Sequence, residues 1–167
     1  MRHDGFGAVF AALALVPLAE AKADEAHLGE VVVTAQKREQ RLQDVPLAIT
    51  ALSAPALRDA GVRDIKDLTA VVPGFQVTST SSESATAARI RGIGTIGDNV
   101  GLESSVGIVV DGVYRPRNSI GIGDLGELAR IEVLKGPQGD LFGKNTSAGV
   151  INVITRAPDF TRSLDVE

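Results

Sequence analysis

Two glycine-rich stretches and a scatter of carboxylates are the residues whose types and spacing suggest chemistry in this chain. Gly92, Gly94 and Gly97 stand in the order G-x-G-x-x-G. That order lets a backbone approach a pyrophosphate, provided that a helix opens at the glycines and turns its N-terminus toward the anion. Asp98-Asn99-Val100-Gly101 follows instead, without helical period, so no nucleotide site is expected. Gly143-Lys144-Asn145-Thr146 invites comparison with a phosphate-cradling loop. Such a loop needs a glycine five positions earlier and a hydroxyl residue directly after the lysine. Gln138 and Asn145 occupy those positions, and the pattern fails at both ends.

The acids offer no better case. Asp98, Glu103, Asp111, Asp124, Glu127 and Glu132 fall on separate segments, and no spacing pairs two of them for general acid–base work. There is no G-x-S-x-G nucleophile elbow and no triad candidate, His27 being the one histidine expected in the mature chain, and the two isolated imidazoles of His3 and His27 make no transition-metal site. The absence of cysteine removes thiolate chemistry and any disulfide framework. The expectation is no catalytic residue, no metal and no cofactor.

Composition narrows the classes further. The 167 residues suffice for one domain, and 44% hydrophobic content allows a modest core. Aromatics make up 4%, with no Trp and one Tyr, Tyr114. A transmembrane β-barrel needs aromatic girdles and many alternating ten-residue strands, about 22 of them in a plugged transporter. This chain cannot supply them. The net charge of −4 offers no basic face for nucleic acid.

The N-terminus reads as an export signal covering residues 1–23. Arg2 and His3 precede the apolar run Ala8 to Leu18, and Ala21-Lys22-Ala23 has the small-x-small cleavage pattern. The run falls short of the roughly 20 apolar residues that span a bilayer. A buried helix of the mature domain is the plainer alternative. Removing the signal would take away Arg2, Lys22, Asp4 and Glu20 and leave the net charge unchanged.

The elements that position everything else follow from pattern. A polar stretch leads to Glu30-Val31-Val32-Val33-Thr34-Ala35, an island of β-prone residues ahead of the charged run Gln36 to Arg41. Such an island is poorly placed to build a core and well suited to pair with another sheet edge. From periodicity alone, an ordinary first strand is an equal reading. Asp44 to Leu52 reads as a strand, with Pro46 near its start. Ser53 is placed to cap a helix from Ala54 to Ala60, and Asp64 a second one through about Val71. Phe75 and Val77 resume strand alternation, and a Ser/Thr loop follows from Thr78 to Thr86. Ala88 to Gly94 is a further strand, and SVGIVVDGVY (105–114) is a hairpin turning at Asp111-Gly112. Asp124 to Ala129 reads as a short helix. RIEVLKGPQGDLFGKNTSAGVINVITRAP (130–158) gives strand, tight turn, irregular segment and strand, punctuated by glycines that adopt φ > 0 freely.

That last run resembles the end of the plug domain of TonB-dependent outer-membrane receptors. "RDIKDLTAVVPGFQV", "GIVVDGVYRPR" and "LARIEVLKGPQG" resemble other plug segments, so the likeness covers about residues 29–158. It implies an α+β fold: a small, mixed, four-stranded sheet with short helices and long loops. It also implies a domain plan: a flexible segment at 24–43 with a TonB box at 30–35, a plug at 44–158, and the start of a barrel at 159–167. Asp140 departs from the family wording, which usually has a small polar residue there. A carboxylate at this place would either hydrogen-bond within the turn or, against a barrel wall, be buried at a cost.

The resemblance further implies roles. Glu30, Val31, Val32, Val33, Thr34 and Ala35 would add a strand to TonB, the energising inner-membrane partner. Outward loops carrying Ser79, Ser81, Ser82, Thr95, Asp98, Asn99, Arg117 and Asn118 would face the substrate. Arg89, Arg91 and Arg130 would pair with carboxylates of the receptor's own β-barrel. The expected function is the gate of an energised nutrient importer in the cell outer membrane, a ferric siderophore being the default ligand. The alternative is a free-standing periplasmic plug-like binding module, or a fragment without transport activity. The alternation of Leu164 to Glu167 favours the longer receptor.

Overall fold

The computed structural model describes residues 31–79, 86–95, 103–116, 127–158 and 160. The expected export signal 1–23, Glu30, Ser81, Ser82, Asp98, Asn99, Arg117, Asn118 and all of the expected barrel start except Phe160 lie outside the described residues.

A five-stranded sheet organises the domain. Its strands are β3 (Ala48–Ser53), β6 (Val106–Val110), β7 (Val113–Arg115), β8 (Leu128–Lys135) and β9 (Gly149–Thr155), in the order β3-β8-β9-β6-β7. The β6/β9 pair is parallel and the other three are antiparallel, so the sheet is mixed. It has one strand more than the four expected. The extra strand is the short return of the hairpin, where Asp111 and Gly112 take φ of 48° and 80° and turn the chain within two residues. Two small antiparallel pairs flank the sheet: β1 (Val32–Val33) with β2 (Gln40–Arg41), and β4 (Phe75–Thr78) with β5 (Ala87–Ile90).

Alternation along the central strands creates two buried faces. On one, Val106, Ile108, Ile131, Val133, Ile151 and Val153 pack against Leu57, Ile65, Leu68, Val72, Phe75, Ala88 and Ile90. Those partners come from β4, β5, the helices α1 (Ala54–Asp59) and α2 (Leu68–Val71), and the turns beside them. On the other face, Val109, Leu134 and Val150 meet Val33, Ala35 and Val45. Covering both faces explains why β6, β8 and β9 read as apolar runs rather than as a clean alternation. Each fully buried Val, Leu or Ile contributes roughly 1.5–3 kcal/mol.

Local signals mostly act as their residue types dictate. Asp64 Oδ1 accepts the Lys66 backbone N–H at 2.9 Å, and Asp67 Oδ2 accepts the Asp64 N–H at 3.1 Å, a reciprocal capping box on the 3₁₀ turn Ile65–Asp67. Ser53 precedes α1 with extended backbone, but its side chain makes no capping bond, and Pro55 starts the helix instead. The helix expected over Asp124 to Ala129 gives way at Leu128 and Ala129, which already belong to β8, where Leu128 pairs with Thr155. The irregular segment after β8 contains one helical turn, α3 (Gly139–Phe142), closed by Gly143 at φ 82°.

Candidate functional site

The described part of the island, residues 31–35, does not stand clear of the domain. Val33 and Ala35 are fully buried and extend the second core, while Val31 and Val32 remain exposed. This corrects the expectation that so short a segment builds no core: the sheet offers it an apolar face, and burial there outweighs its polar surroundings. The flank is closed by β2, with Leu42 N–H donating to Val31 O at 2.9 Å. Lys37, at φ 57°, turns the chain between the two short strands and lies 5.7 Å from the Phe142 ring centroid.

Thr34 meets a polar group at the centre of that face. Glu132, on β8, is fully buried. Its Oε1 accepts the Thr34 backbone N–H at 2.8 Å, the Thr34 hydroxyl at 3.2 Å and Arg130 Nε at 2.8 Å. Its Oε2 accepts Asn152 Nδ2 at 3.1 Å. Asn152 is directly opposite Glu132 on β9, and Arg130 precedes it by two on the same strand, so pleating puts all three on one face. Arg130 Nη2 also donates to Thr34 Oγ1 at 3.2 Å. Arg130, expected to seek a partner on a barrel wall, therefore has one inside the domain.

Sequence reasoning missed Glu132 and Asn152 as members of one cluster. The available signal was a single polar residue interrupting each of two apolar strands, Ile131-Glu132-Val133 and Ile151-Asn152-Val153.

The other two arginines differ. Arg91 is exposed, holds φ 55° and donates its backbone N–H to Gly74 O at 2.7 Å, so its place is set by the turn and not by its side chain. Arg89 is half-buried on β5, and its Nε is buried without a hydrogen-bond partner among the described residues.

The loop residues that are described act as stems. Thr95 Oγ1 donates to Glu103 O at 2.8 Å and accepts the Ser105 N–H at 3.1 Å, drawing together the residues that flank 96–102. Ser79 and Thr86, which flank 80–85, bring their hydroxyls within 3.4 Å. Glu103 receives Lys144 Nζ at 3.0 Å; this bond, then one with Asn145, holds its carboxyl below the usual carboxylate range. Lys144 thus faces a carboxylate, and β9 rather than a helix follows Gly143-Lys144 within a few residues, as suits a turn and not a phosphate loop. Asp140 is exposed in the first turn of α3, so the burial cost weighed for it does not arise within this domain. It borders an open cleft of about 510 Å³, which also touches Gln36, Arg38 and Leu47. Among the described residues, no three His, Asp or Glu side chains converge as metal ligands.

Comparison with known proteins matches this arrangement. The family described as TonB-dependent Receptor Plug Domain matches residues 41–150. The pesticin receptor of Yersinia pestis is 34% identical over 150 residues, which is 89% of this chain and 22% of that protein. The vitamin B12 transporter BtuB of Vibrio vulnificus is 32% identical over 158 residues, 91% of this chain and 25% of that protein. The crystal structure of the ferric yersiniabactin uptake receptor FyuA from Yersinia pestis superposes with a TM-score of 0.63 at 34% identity, covering 69% of this chain and 18% of that one. The chain thus spans about a fifth to a quarter of the length of these curated relatives.

Proposed function

The chain belongs to the TonB-dependent receptor plug domain family, and from that premise we propose that it gates an energised nutrient importer of the cell outer membrane. The observation that carries this reading is the family match over residues 41–150 together with a mixed sheet covered on both faces. A domain of this kind closes a channel by filling it and opens by rearranging under force applied to its N-terminal segment. Residues 30–35 are the point of application. Val31 and Val32, exposed next to the anchored Val33, offer a strand edge on which TonB can pair.

Arg89 and Arg91 are the side chains we assign to carboxylates of the surrounding barrel. The Nε of Arg89, buried and without a partner among the described residues, supports this, because such a group in a finished assembly ordinarily finds an acceptor. The loops containing Ser79 to Ser82, Thr95 to Asn99 and Arg117-Asn118 face the ligand. Residues 1–23 direct export and are removed, and residues 159–167 lead into the barrel. A ferric siderophore is the proposed ligand, supported by the 34% identity with a ferric yersiniabactin uptake receptor.

The test has two parts. Immobilised TonB C-terminal domain should retain the full chain and lose it when residues 30–35 are deleted. Cells carrying the gene should take up radiolabelled ferric siderophore, with labelled cobalamin run in parallel because a vitamin B12 transporter is also similar. Uptake of cobalamin alone would replace the substrate; retention that survives the deletion would sink the role of residues 30–35.

A further inference from the structure

The TonB-binding segment and the buried carboxylate of β8 meet across 98 residues of sequence. We propose that Glu132 is a positioning residue that clasps residues 33–35 to the second face of the sheet, with Asn152 and Arg130 holding its carboxylate in place. The clasp sets how readily the segment is presented to its partner. The inference rests on the reading of residues 30–35 given above.

The geometry supports a clasp rather than ordinary core packing. A carboxylate in the middle strand of a sheet is costly unless fully paired. Glu132 meets that demand with four bonds, two of which come from Thr34. The remaining two come from the sheet itself, one from β8 and one from β9. When the segment lifts away, Glu132 keeps those two bonds and turns its freed oxygen positions to entering water. Release of the polar centre is thus compensated by solvent. An apolar residue at 132 would lack that exchange and would hold the segment by burial alone, as Leu134 and Val150 do with Val33, Ala35 and Val45. The Thr34 contact is polar and readily reversed, whereas Val33 and Ala35 on either side of it are held by apolar burial.

Connectivity concentrates load on this clasp. The β1–β2 pair spans only two residues on each strand, so it adds little resistance to peeling. Beyond the clasp, the turn at Lys37 adds a bond from its N–H to Thr34 O at 2.9 Å and an exposed contact with the Phe142 ring. Tension on residues 30–32 therefore reaches Val33 and Thr34 before it reaches the central sheet.

Amide hydrogen exchange on the full chain tests the proposal directly, because the Thr34 N–H is itself a bond of the clasp. Glu132→Gln keeps the shape and removes the charge; Asn152→Ala removes the group that braces Oε2. A neutral acceptor in place of a charged one weakens the bonds from Thr34 and should raise exchange at residues 33–35 roughly tenfold in Glu132→Gln. Asn152→Ala should show a smaller rise at the same amides. Protection in β6, β8 and β9 should stay within about twofold of wild type on the same principle of local opening. Unchanged exchange at 33–35 in Glu132→Gln would overturn the clasp. A uniform rise over the whole sheet would overturn it too, by making Glu132 a general core residue.

Affinity for the TonB C-terminal domain, measured on the same proteins, separates this inference from the one beneath it. A segment presented more often binds more tightly in proportion to its accessible fraction. Parallel gains in exchange and affinity support both readings. Faster exchange at 33–35, with no TonB binding by wild type or variant, would keep the clasp and remove the assigned partner.

Discussion

Gly149→Ala is the substitution whose cost the structure defines most fully. Gly149 opens β9 between β8 and β6, opposite Lys135 on one side and Val106 on the other. Its φ is 152°, in a region that only glycine enters without strain, and forcing another residue into it costs about 1–3 kcal/mol. A Cβ there would also strike the Leu134 carbonyl oxygen and come within 2.7 Å of Ile90 Cδ1. The carbonyl belongs to a strand paired on both sides and cannot retreat. Overpacking of this sort adds about 1–3 kcal/mol. The combined loss of roughly 2–6 kcal/mol is a large part of the 5–15 kcal/mol that ordinarily stabilises a domain.

Urea unfolding followed by far-ultraviolet circular dichroism measures this loss. With a slope of about 1–3 kcal/mol per molar for small proteins, the midpoint should fall by about 1 M or more. Two other glycines separate the causes. Gly92, at φ 78° with nothing near its added Cβ, isolates the backbone term, so Gly92→Ala should cost about 1–2 kcal/mol. Gly139 has neither constraint, and Gly139→Ala in α3 should be neutral or stabilising by up to about 1 kcal/mol. A Gly149→Ala midpoint within about 0.2 M of wild type, on that same slope, would refute the reasoning for the sheet's most confined glycine.

Three further outcomes follow from single contacts. Asp64→Ala removes the acceptor of the Lys66 N–H and should cost about 1 kcal/mol in thermal unfolding. Val33→Ala deletes two buried methyl groups, worth about 1.5 kcal/mol before any cavity cost. Because that loss falls on a peripheral segment, tryptic cleavage after the exposed Lys37 and Arg38 should speed up about tenfold, which tracks local opening. Glu103 should titrate below the usual carboxylate range by carbon-detected NMR, and Lys144→Met should raise its midpoint. Since the folded value is depressed, the pairing stabilises the fold above the ordinary glutamate pKa. It is lost as pH falls through the lowered value.

Local chemistry was legible where one residue type has one physical outcome. Asp111-Gly112 turned the hairpin because both positions require φ > 0, and Asp64 capped its turn because a short acid reaches the orphan N–H groups. Phe75 and Val77 alternated as a strand does. The helix expected over Asp124 to Ala129 failed at its last residues because Leu128 pairs with Thr155 on β9 and a single isolated helical turn is costly to nucleate. The exposure of Asp140 was equally beyond pattern, since only the direction of α3 sets which side of that turn meets solvent.

By itself, the sequence determined the fold class, the main strand and helix positions, and the wording that ties residues 41–150 to their family. It also removed thiol chemistry, because cysteine is missing. Tertiary structure decided what the island at 31–35 does. Whether a β-prone pentapeptide is free or docked depends on the surface presented to it, and that surface is assembled from β6, β8 and β9. The same holds for Glu132: a lone acid in an apolar strand has no role until its partners converge. Thr34 reaches it from 98 residues away and Asn152 from 20, through strand pairing that no local pattern encodes.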